Sequence, residues 1–97
     1  MAAAYMVIGI DIHDAEAFVP YAEGVGPMLA RYGAEVIVAT DEFDVLEGTY
    51  SRKRPVIIKF PSMEKARTFY ESDEYAPMIA LRETCSDGDI ILVEGLM

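Results

Sequence analysis

In the stretch FYESDEYAPMIALR, Phe69 to Arg82, an arginine keeps step with apolar side chains. Tyr75, Met78, Ile79 and Arg82 stand at i, i+3, i+4 and i+7, the spacing of one helix face, so the guanidinium falls on a stripe that should be buried. A buried, unpaired guanidinium costs at least several kcal/mol; it must pair with a carboxylate, reach water along its stem, or wait for an anionic ligand. Its planar fork suits a ligand carboxylate or enolate. Among seventeen acidic residues, Glu47 is one internal partner, since it alternates with Val45 and Phe43 and can face inward; Glu94 and Asp89 compete with it. Tyr21 and Tyr75 also lie on inward stripes. They either direct hydroxyls into a cavity between helices and sheet or act as core aromatics with one satisfied hydroxyl.

A second group is DIHD, where Asp11 and His13 point to the same side of an extended strand end. Such a pair can orient an imidazole as general base, with Asp14 as a further metal ligand. The alternative makes Asp14 a helix cap and leaves Asp11 and His13 as polar residues at a strand exit. The catalytic candidates are therefore His13 and Asp11, and no metal is expected. GVGPML from Gly24 is not a nucleotide loop, because it lacks the third glycine and lies within a helical pattern. Cys85 is the only cysteine, has no metal or nucleophile motif around it, and reads as packing in a reducing compartment. No cofactor is expected.

With 97 residues the chain fits one domain, residues 1–97, and a monomer of that size has a thin margin of stability. With Gly counted and Tyr left out, 52 of its 97 residues are apolar, above the usual share of about 45–50%, which favours association. A net charge of −9 repels phosphate backbones and anionic lipid surfaces, so neither nucleic acid nor membrane is expected as a partner. The basic cluster Arg52 to Arg54 either holds an anion or is a solvated loop. The N-terminal MAAAYMVIGIDI lacks a basic leader and alternates, which speaks against a signal peptide or membrane span and for the cytoplasm.

The elements that must position these residues follow from period. Tyr5 to Ile12 alternates as a strand, with Met6, Ile8, Ile10 and Ile12 on one face. Asp14 caps a helix whose Phe18, Tyr21, Ala22, Val25, Leu29 and Tyr32 keep the 3.6 period, and Gly33 closes it. Pro20, Gly24, Gly26 and Pro27 predict a kink or broken turn in it. AEVIVAT and FDVLEG read as one long strand with a bulge or bend, and PVIIKF as a third. Ser62 caps MEKARTFYE, with Met63, Ala66, Phe69 and Tyr70 inward; the helix pauses at SDE and resumes near Pro77 to about Cys85. DIILVEG is a fourth strand entered from the turn SDG.

The order β-α-β-β-α-β with right-handed crossovers gives an α+β, ferredoxin-like sandwich: a four-stranded antiparallel sheet with its helices on one face. Several strands are nonetheless apolar on both faces; Ile57 opposes Val56 and Ile58, and Ile91 and Val93 oppose Ile90 and Leu92. An identical sheet from a second subunit is the economical cover.

The combination YGAEVIV, VLEG, VIIKFPSMEKARTFYESDEYAPMIALR and LVEG resembles the domain-of-unknown-function family 1330, of the dimeric α/β-barrel superfamily. The resemblance spans nearly the whole chain and is densest from Phe60 to Arg82. Tyr21, Gly33, Gly48, Arg54, Phe60, Tyr70, Ser72, Tyr75 and Arg82 match the family pattern. Phe69 departs from the usual tryptophan, and Ala34 from a second glycine. The resemblance implies a homodimer with sheets packed face to face, and no reaction. Related families include cofactor-free monooxygenases, muconolactone-type isomerases and haem enzymes, so the fold allows chemistry without predicting it. The expectation is a homodimer binding a small polar or anionic molecule in a cleft lined by Tyr21, Tyr75, Arg82 and Glu47. One alternative is a cofactor-independent monooxygenase or isomerase in which Arg82 holds a developing oxyanion and a tyrosine or His13 moves the proton. The other is a non-catalytic structural dimer with Arg82 ion-paired and the core closed.

Overall fold

Alternation governs the first strand, β1 (Ala4–Ile12), where Ala4, Met6 and Ile10 are buried on one face. The computed structural model describes residues 2–51 and 54–96. After β1 come α1 (Ala15–Arg31), β2 (Glu35–Ala39), β3 (Arg54–Phe60), α2 (Met63–Tyr70), α3 (Ala76–Glu83) and β4 (Ser86–Glu94). The strands form one antiparallel sheet in the order β2-β3-β1-β4, the α+β ferredoxin-like arrangement. Met6, Ile58 and Phe60 from the sheet meet Leu29, Ala66, Phe69 and Tyr75 from the helical side in one core. Phe69 sits at its centre, with ring centroids 5.6 Å from Phe60, 5.4 Å from Tyr32 and 4.4 Å from Tyr75.

Local chemistry sets the helix ends. The Asp14 carboxylate accepts from the Ala17 amide at 3.1 Å and the Ser62 hydroxyl from Lys65 at 3.1 Å, satisfying donors that each first turn leaves free. Gly33, with φ +72°, turns the chain out of α1 in the left-handed region that only glycine adopts readily. Ser72 pins the α2–α3 corner: its hydroxyl donates to the Phe69 carbonyl at 2.7 Å and accepts from the Tyr75 amide at 3.2 Å. That contact fixes where Tyr75 enters the core. Cys85 packs, 1% exposed, and its carbonyl accepts from His13 and Asp14, tying the start of β4 to the end of β1.

The structure departs from the sequence reading in four places. The helix α1 runs unbroken through Pro20 and Pro27; both prolines are exposed, so the carbonyls they leave free, of Glu16 and Glu23, fall on its solvent side. FDVLEG does not extend β2. Phe43, Val45 and Leu46 instead lie along the sheet face away from the helices, beside Val7, Ile57 and Ile91, so the alternation answers to packing and not to strand pairing. A bulge is present, but inside β2 between Val36 and Val38. SDG is no turn: Ser86, Asp87 and Gly88 pair with Ile12, Asp11 and Ile10 as the first residues of β4. Tyr70, expected inward, is only partly so: it is the last residue of α2 and 38% exposed, while its ring packs on Tyr75 with centroids 5.7 Å apart.

Candidate functional site

Between α1, α3 and the sheet lies a cavity of about 260 Å³. Its walls are apolar: Ile8, Ile10 and Ile12 of β1, Val56 and Ile58 of β3, and Phe18, Val25 and Leu29 of α1. Four polar side chains face it, those of Tyr21, Tyr75, Arg82 and Arg54, and no described acidic residue lines it. The cavity exceeds the roughly 150 Å³ of an engineered core cavity that takes up benzene.

Tyr21 and Tyr75 come from different helices and share a hydrogen bond between hydroxyls of 2.7 Å. Burial holds the Tyr21 phenol well above the ordinary tyrosine value; the neighbouring Tyr75 pushes it further, and a hydrogen bond and charge from Arg82 pull part of the way back. The phenol therefore stays protonated and acts as a donor across the neutral range. Arg82 stands in the last turn of α3 and is 7% exposed. Its carbonyl accepts from the Ser86 hydroxyl at 2.7 Å, which fixes the end of the helix against the sheet. Its Nε is buried without a hydrogen-bond partner.

Neither Arg82 nor Arg54 meets a carboxylate among the described residues, where the contacts between basic and acidic side chains are His13–Asp87 and Arg31–Glu74. The internal partners named for Arg82 are elsewhere. Glu47 is exposed in the segment after β2 and lines a groove of about 640 Å³ on the opposite face of the sheet, so its place in the cleft is corrected. Asp89 lines that same groove, and Glu94 pairs with Ala4 at the far end of β4. Tyr21, Tyr75 and Arg82 are brought together. The outcome is a cavity of donors and cations in a protein of net charge −9.

The chain matches the Domain of unknown function (DUF1330) over residues 3–96. It is a member of the DUF1330 family. No curated protein sequence matches it. A solved structure of a protein of unknown function from Rhodopseudomonas palustris superposes with a TM-score of 0.81 at 18% identity, covering 99% of this chain and 84% of that one. SnoaB, a cofactor-independent oxygenase from Streptomyces nogalater, gives 0.69 at 13% identity over 100% and 96% of the two chains. A dimeric ferredoxin-like protein of unknown function from Thermobifida fusca gives 0.61 at 8% identity over 96% and 91%. These likenesses establish for this DUF1330 chain the ferredoxin-like fold of the dimeric α/β barrels.

The DIHD group of this DUF1330 member is arranged differently from its sequence reading. The partner of His13 is Asp87, with Nε2 and Oδ2 2.7 Å apart, and both side chains are more than half exposed. Asp11 is the cross-strand neighbour of Asp87 on β4, which is what brings Asp87 within reach of the imidazole. Asp14 is engaged as the α1 cap, and no cluster of three or more His, Cys, Asp or Glu among the described residues could hold a metal. His13 and Asp11 do not line the cavity.

Of the basic cluster Arg52 to Arg54, the first two residues lie outside the described ones, while Arg54 opens β3 and lines the cavity. Sequence reasoning did not place Arg54 in the site. The signal was present: residues 54, 56 and 58 alternate onto one face, and the inward orientation of Val56 and Ile58 carries Arg54 with them. No helix among the described residues is long and apolar enough to cross a membrane.

Proposed function

We propose that the protein is a homodimer, joined through the helix-free sheet face, that binds a small anionic or polar-aromatic molecule in the cavity between sheet and helices. The observation that carries the ligand reading is Arg82, a 7% exposed cation with an unpartnered Nε, facing an apolar cavity that no described carboxylate lines. A structural ion pair would have placed an acid against it. Of the Tyr21 and Tyr75 hydroxyls one donates to the other, which leaves a single further donor, so the site is complementary to a carboxylate, enolate or phenolate oxygen. The two-sided strands and the dimeric Thermobifida neighbour support association.

An enzymatic reading has one support, the fold shared with the cofactor-independent oxygenase SnoaB. In such a reaction Arg82 and the tyrosines would hold a developing oxyanion. The protonated Tyr21 is ill suited to abstract a proton near neutral pH, and His13 lies outside the cavity, so binding is the function that the residues support best.

Thermal-shift measurements with a panel of small carboxylates and phenols test the binding reading. At 100 times Kd a bound ligand stabilises by about 2.7 kcal/mol, a shift of several degrees for a chain of this size. Binders should raise Tm in the wild type and lose that effect in Arg82→Gln. A panel without any response, or a response unchanged by Arg82→Gln, would contradict it.

A further inference from the structure

We infer that Arg54 and Arg82 together form a two-cation head-group site at one end of the cavity, so that its ligand is a cyclic dicarboxylate with adjacent acid groups. This rests on the ligand-binding reading above and adds the class of molecule. The placement follows from the sheet register. Arg54 pairs with Ile10 across β1, and Ser86, whose hydroxyl is bonded to the Arg82 carbonyl, pairs with Ile12. Ile10 and Ile12 both line the cavity and are about 7 Å apart along the strand. The two arginines thus reach the cavity from different elements, Arg54 from the start of β3 and Arg82 from the end of α3.

The opposite end of the cavity has a different character. There Leu29 of α1 and Phe69 of α2, with the Tyr75 ring against Phe69, close on Ile58 without a charge. A molecule that fills the space must carry its negative groups at one end and an apolar ring at the other. Two guanidiniums with no carboxylate among the cavity's described lining residues favour two anionic groups over one, since each fork can take a separate carboxylate in a bidentate contact. The volume of about 260 Å³ sets the body at about one ring.

Calorimetric titration with phthalate, benzoate and terephthalate at fixed ionic strength decides the point. Phthalate, with adjacent carboxylates, should bind the wild type about tenfold or more tightly than benzoate, the gain of one charge-assisted contact. Terephthalate, whose second carboxylate would be driven into the apolar end, should bind more weakly than phthalate. Arg54→Gln should weaken phthalate by much more than benzoate and so bring the two affinities together, with Arg54→Lys intermediate; Arg82→Gln should weaken both strongly. Arg54 is half-buried at a strand start, and equal Tm values for wild type and Arg54→Gln without ligand verify that the fold is kept. If benzoate binds through Arg82 but phthalate is no tighter, or if Arg54→Gln preserves the phthalate preference, the two-cation site is wrong and the ligand reading stands. If none of the three binds, both fall.

Discussion

Arg82 is held in a place where its charge is a burden to the empty protein. Its Nε is buried without a partner, and an unsatisfied buried polar group costs about 1–3 kcal/mol. Replacing it by an apolar residue of similar length removes that penalty. Arg82→Met also removes the hydrogen bond that the guanidinium makes to Tyr21, so the Tm of the ligand-free protein should show little net change while ligand-induced stabilisation is abolished. A fall in Tm would show instead that the guanidinium is a structural tie. Tyr21 makes a prediction about pH. Its phenol has a raised pKa in the fold, so above pH 10, the ordinary tyrosine value, the unfolded chain loses a proton that the folded chain keeps. Stability is complete below pH 10 and declines above it, by up to about 1.4 kcal/mol per pH unit from this one group. Urea unfolding at pH 9 and pH 11 should show a smaller decline in Tyr21→Phe than in the wild type. Equal declines would mean that the Tyr21 hydroxyl is not buried as described.

At the scale of elements, two glycines separate contacts that can yield from contacts that cannot. In α1, a Cβ at Gly24 would stand 2.6 Å from the Met78 methyl, the free end of a flexible side chain that can swing away. Alanine is also the better helix former by about 1 kcal/mol, so Gly24→Ala should be neutral or stabilising by up to that amount. In β4, a Cβ at Gly88 would meet the Gly9 carbonyl oxygen at 2.8 Å, and backbone within a paired strand cannot move aside. Gly88→Ala should cost about 1–3 kcal/mol in urea unfolding, and a neutral result would mean that β4 starts later than Ser86. That position also shows where sequence legibility ends. Ser-Asp-Gly carries turn chemistry, and only the antiparallel register with β1 reveals it as strand. Periodicity located Tyr21, Tyr75 and Arg82 because each keeps the 3.6 spacing of a helix whose other face is wet. It could not find the His13–Asp87 contact, which joins residues 74 apart through cross-strand pairing. Nor did it assign Glu47 correctly, since a strand-like alternation reports a half-covered surface without saying which face of the sheet supplies it.

For the molecule as a whole, shape and surface point the same way. The principal extents are 33 × 32 × 16 Å, a slab of one sheet and one helical layer. Its accessible surface is 6347 Å², against about 5,500 Å² for a folded monomer of 10.7 kDa by the usual scaling. The excess is comparable to the roughly 800 Å² that each partner buries in a standard interface. Part of it lies on the helix-free face, where Phe43, Val45, Leu46 and Ile91 remain 42–89% exposed around the groove. In the proposed dimer this face meets its own copy, and Ile91, with Val7 and Ile57 in the same cross-strand row, lies within the seam. Ile91→Glu places a charge there. On an isolated chain the position is 58% exposed, and such a substitution should change stability by no more than about 0.5 kcal/mol. Buried against a second copy, the same carboxylate, doubled by symmetry, would be severely destabilising. Sedimentation at micromolar concentration should therefore find a wild-type dimer and an Ile91→Glu monomer, and the wild-type Tm should rise with protein concentration. Because each copy carries a net charge of −9, added salt should also tighten the wild-type dimer by screening their repulsion. A wild-type monomer under these conditions would remove the dimer, and with it the explanation for strands that are apolar on both faces.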